Sequence, residues 1–83
     1  MESQEISTIT DAVLDFLAST PTPEQIVAYQ PSKVLQGRLR ALLNKKLSGG
    51  LTPEEQAEFD EFTQINHFMS QLKARARQKL ESA

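Results

Sequence analysis

Cysteine and tryptophan are both missing from the 83 residues, and histidine and tyrosine occur once each, as His67 and Tyr29. Without cysteine there is neither a disulfide nor a thiolate metal site to staple so small a fold. A single imidazole would leave a zinc ion dependent on carboxylates, so no structural metal and no cofactor are expected. A strong charge of one sign is also lacking. Eleven acidic residues against nine basic leave a net charge of −2, which argues against wholesale nonspecific binding to nucleic acid. No run approaches the roughly 18 apolar residues of a membrane span. Met1 to Thr10 carry no basic flank followed by an apolar stretch, so no secretory signal is read there and the expected location is the cytoplasm. The length fits one domain with a modest core, a situation in which oligomerisation often supplies missing burial.

Three glycines and four prolines punctuate what is there, and they divide it into four helical patterns. Met1 to Glu5 is polar and expected to fray. Ile9, Val13, Phe16 and Leu17 then fall on one helical face, with Thr8 as cap and Asp11 three residues on, predicting a helix over 8–18. Thr22, Pro23, Glu24 and Gln25 combine a capping hydroxyl, a proline at the first helical position and a glutamine that can reach back to the cap. Pro31 limits that helix to 23–29 and is read as opening the next, over 31–47. Leu35, Leu39, Leu42 and Leu43 form its stripe, widened by Val34 and Leu47. Gly37 lies inside it, either facing solvent or allowing a close crossing. Ser48, Gly49 and Gly50 stop it.

Thr52, Pro53, Glu54 and Glu55 repeat the start signal, and neither proline nor glycine follows Pro53. Phe59, Phe62, Ile65, Met69, Leu72, Ala76 and Leu80 run down one side, predicting a helix over 53–80 about 42 Å long. The short link before it makes the last two helices antiparallel. The expected fold is therefore all-α: an antiparallel helical hairpin with two shorter N-terminal helices packed on it. The long helix outruns the third helix, so its C-terminal part should need another cover. That places the expected protein interface at Phe62, Ile65, Met69, Leu72, Ala76 and Leu80, in a homodimer or against a partner protein.

Acidic residues (Glu54, Glu55, Glu58, Asp60, Glu61) crowd the start of the long helix, and Lys73, Arg75, Arg77 and Lys79 crowd its end. Each sign sits where the helix dipole favours it. The basic end also offers a weak patch for nucleic acid or an acidic partner, spread over both flanks because its members are two residues apart. Lys45 and Lys46 should lie near the acidic start, as partners for Glu54, Glu55 or Glu58. Tyr29, at a helix junction, is read as a ring plugging a corner.

Catalytic arrangements are not found. His67 is flanked by Asn66 and Phe68 and is read as a surface or half-buried histidine. Asp11 and Asp15, four apart, read as a solvated face, and the Gly49–Gly50 pair lacks the lysine and hydroxyl of a phosphate loop. An enzyme is not expected.

Several segments carry a family likeness: Pro21-Thr22-Pro23-Glu24-Gln25-Ile26, Pro31-Ser32, Arg38-Leu39 with Leu42-Leu43, Leu51-Thr52-Pro53-Glu54-Glu55, and Leu72-Lys73-Ala74-Arg75-Ala76. From Thr20 to Arg77 the chain resembles a group of short, uncharacterised helical proteins of bacteria, common in cyanobacteria. The resemblance implies an antitoxin-like or accessory role beside a neighbouring nuclease or toxin-like gene, and it transfers no site residue. The expected function is a small protein-binding module. The alternatives are a small DNA-binding transcriptional regulator and a structural homo-oligomer.

Overall fold

The computed structural model describes residues 8–82. Among them are four helices and no strand: α1 (Ile9–Ala18), α2 (Pro23–Ala28), α3 (Lys33–Ser48) and α4 (Pro53–Ser82). The fold is all-α, with a hairpin-like α3–α4 pair. The expected fraying of Met1 to Glu5 lies outside the described residues.

The helix starts follow the capping chemistry read from the sequence. Thr8 Oγ1 accepts from the Asp11 amide at 3.1 Å. Thr22 Oγ1 accepts from the Gln25 amide at 3.2 Å while Gln25 Oε1 accepts from the Thr22 amide at 2.9 Å, a complete capping box. Thr52 and Glu55 repeat it at 3.1 and 2.9 Å. Among the starts, that of α3 differs most, and the ends of α2, α3 and α4 shift by one or two residues. Pro31 does not open α3; Ser32 caps it instead, accepting from the Leu35 amide at 3.2 Å. A serine hydroxyl satisfies an exposed amide at the helix start, which a proline side chain cannot do. At the other end of α3 the amides of Gly49 and Gly50 both donate to the Lys45 carbonyl. Gly50 takes φ +101°, a conformation open to glycine at little cost.

The 30-residue α4 is about 45 Å long and is the element every other helix packs on. The core is a cluster of Ile9 and Val13 from α1, Leu42 from α3, and Phe62 and Met69 from α4, with Leu17, Tyr29, Leu35, Leu39 and Leu72 among the residues packed around it. α2 approaches α4 most densely, followed by α1, and α3 least. This revises the expectation that α3 would be the main neighbour of α4. The buried face of α3 is consequently narrow. Leu42 is buried, whereas Leu43 and Leu47 are exposed. Leu47 follows Leu42 by five residues, about 140° around the helix, and one neighbour cannot cover an arc that wide.

Candidate functional site

The expected interface on α4 is largely consumed within the chain. Phe62, Met69 and Ala76 are buried, Ile65 and Leu72 are half-buried, and Leu80 is exposed. Since α1 and α2 occupy the side of α4 that α3 leaves open, the Met69–Ala76 stretch is core in a single chain. Lengths of the helices predict the overhang of α4 past α3; only the path of α1 and α2 decides who covers it. Phe16 of α1 and Tyr29, just past the end of α2, pack with ring centroids 4.4 Å apart, so the Tyr29 ring at its helix junction packs on α1. Burial there pushes the tyrosine hydroxyl above its ordinary pKa.

The basic end of α4 is also reassigned in part. Lys73 is half-buried and its Nζ donates to the Tyr29 carbonyl at 2.8 Å. It therefore serves the end of α2 rather than an external anion. Arg75, Arg77 and Lys79 remain exposed, and Arg75 and Lys79 border a shallow recess with Gln78 and Ser82. At the opposite end Lys45 pairs with Glu55 at 2.5 Å, as the hairpin register predicts, and Lys46 lies 4.5 Å from the centre of the Phe59 ring. His67 is exposed, with Nε2 3.3 Å from Gln71 Nε2. Among the described residues no group of three or more histidine, aspartate or glutamate side chains could hold a metal ion.

A concavity lies elsewhere, between α1 and α3 over the first half of α4. Its volume is about 880 Å³. Ile9 and Ala12 of α1, Val34 and Leu35 of α3, and Phe62 of α4 supply an apolar lining. Asp15, Arg38, Glu58 and Glu61 supply the charged rim, with Thr8 and Ser32 at the helix starts. Val34 is 81 % exposed. It precedes Leu35 by one residue, about 100° around the helix, so it stands on the cleft wall while Leu35 points to the core.

The rim charges are not equivalent. Arg38 makes a two-pronged pair with Glu58, Nε to Oε2 and Nη2 to Oε1, both at 2.8 Å. That bond holds the Glu58 carboxyl below the usual range and the Arg38 guanidinium above its own. Glu61 Oε2 accepts from Thr10 Oγ1 at 2.6 Å, a neutral donor. No cation among the described residues lies within ion-pair distance of Asp15 or Glu61.

Of these lining residues, only Phe62 belongs to the interface expected from the sequence. Ile9, Val34 and Leu35 belong to the expected helical stripes, Thr8 to a cap, Asp15 to a solvated face, and Glu58 and Glu61 to the acidic start of the long helix. The signal available was the off-axis position of Val34, which a strict helical period places outside the Leu35–Leu39–Leu42 line. No family model, curated protein or solved structure matches the chain. Among the described residues no helix is long and apolar enough to cross a membrane.

Proposed function

We propose that this chain is a protein-binding module, acting by association rather than catalysis, whose partner fills the cleft between α1 and α3. The observation that carries the reading is an apolar cleft of about 880 Å³ whose wall exposes a valine almost entirely. Such a concavity, apolar with a few convergent polar groups, is the ordinary form of a binding site. Exposed apolar side chains standing singly carry little weight, but Val34 continues a lining shared by three helices. An antitoxin-like pairing with an enzyme encoded nearby, as the resemblance implies, is one form of this function. A homodimer closed through the same cleft is another.

The test compares the wild-type chain with Val34→Glu as bait in extracts of the source cells, alongside the mass of each in solution. A partner retained by wild type and lost with Val34→Glu, at unchanged helical content, is the expected result. Partners retained equally by both would overturn the assignment to this cleft. A wild-type mass of two chains falling to one in the variant identifies a second copy as the occupant.

A further inference from the structure

We infer that the occupant of the α1–α3 cleft is an amphipathic helix whose apolar face is bordered by lysine or arginine on the α1 side. The inference rests on the cleft being a protein-binding site and adds the chemistry of the partner. Two observations carry it. The walls are α1 and α3 and the floor is Phe62 of α4, so a further helix laid between the walls would pack side chains into a helical layer. Among the described residues there is no strand whose edge an extended peptide could join, which removes the other common backbone-led mode of recognition.

The second observation is the sign of the rim. Arg38 neutralises Glu58 on the α3 side through both of its carboxylate oxygens. On the α1 side no cation among the described residues pairs with Asp15 or Glu61, and Thr10 offers Glu61 only a neutral hydroxyl. A helix entering the cleft partly dehydrates both carboxylates. A neutral or acidic flank would leave them uncompensated, whereas a basic flank supplies the missing partners. The cleft thus discriminates by repulsion as well as by attraction.

The experiment uses three synthetic amphipathic peptides of about 18 residues, long enough for some helicity in water. They share one leucine face and carry lysine, glutamine or glutamate along one flank. Each is titrated into the full chain, with amide signals of Ile9, Val34 and Phe62 as the readout. The lysine peptide should bind about tenfold tighter than the glutamate peptide at low salt, with the gap closing as salt rises. The preference should vanish in the double variant Asp15→Asn, Glu61→Gln. Equal binding of all three, or a preference that survives the double variant, would overturn the charge inference and leave the cleft as a site. If none of the peptides moves the cleft signals, both the inference and the cleft assignment fail.

Discussion

Lys73, in the C-terminal third of α4, reaches the carbonyl of Tyr29, the cap residue that follows α2, its Nζ 2.8 Å from the oxygen. The last turn of α2 contains no basic residue, and the final carbonyls of a helix have no intrahelical donors. A cation borrowed from another helix is placed just past that end instead, near the negative end of the α2 dipole.

Replacing Lys73 with methionine keeps most of the apolar stem and removes this bond. The expected cost is about 1 kcal/mol, read as a lower midpoint in urea at unchanged slope. Arg77→Gln, at an exposed position on the same helix, should move the midpoint by less than about 0.5 kcal/mol. Equal effects at the two positions would show that Lys73 contributes only general charge.

Acid should weaken the α3–α4 pairing. Hydrogen bonding to Arg38, and then its charge, lowers the Glu58 pKa in the folded state; Lys45 and the Thr52 cap do the same for Glu55. A carboxyl whose folded pKa is depressed adds stability above its unfolded value, about 4.3, and loses it as pH falls through the folded value. Stability should therefore decline from about pH 5 downward. In Glu58→Gln the neutral-pH stability should be lower and the acid decline shallower. An acid profile identical to wild type would sink the assignment of this linkage to Glu58.

Gly37 faces open space: a β-carbon added there meets nothing within 4 Å. The close-crossing reading of this glycine is thus excluded, and the solvent-facing one holds. Gly37→Ala should raise stability by about 0.5–1 kcal/mol, through helix propensity alone. A rise in melting temperature checks it; destabilisation would mean that α3 packs more closely there than the structure describes.

Thr20 carries the opposite signature, a β-branched residue at φ 53°. That conformation is costly for its side chain, and the following Pro21 disfavours the ordinary helical alternative. Thr20→Gly should be neutral or stabilising by up to about 1 kcal/mol, the strain relieved outweighing the entropy added to the unfolded chain. Gly50→Ala, at φ +101°, should instead destabilise by about 1 kcal/mol or more. Chemical denaturation of the two variants side by side distinguishes them in sign.

The local architecture is legible in the chain because local chemistry decides it. Thr8, Thr22 and Thr52 cap the helices that their neighbours begin, and the Gly49–Gly50 pair ends α3 where the left-handed conformation is needed. Even the Lys45–Glu55 pair follows from a short link between antiparallel helices. Tertiary structure alone decided which faces were left over. Periodicity marks the apolar side of α4 without telling whether α1, α2 or another chain covers it. Packing α2 along α4 put Met69 and Ala76 in the core and turned Lys73 inward. The placement of α1 and α3 on α4 also decides the cleft between them and leaves Val34 on its wall. Burial is a relation between segments distant in sequence, so neither the sealed half of α4 nor the cleft beside Asp15 and Glu61 is written in any single stretch.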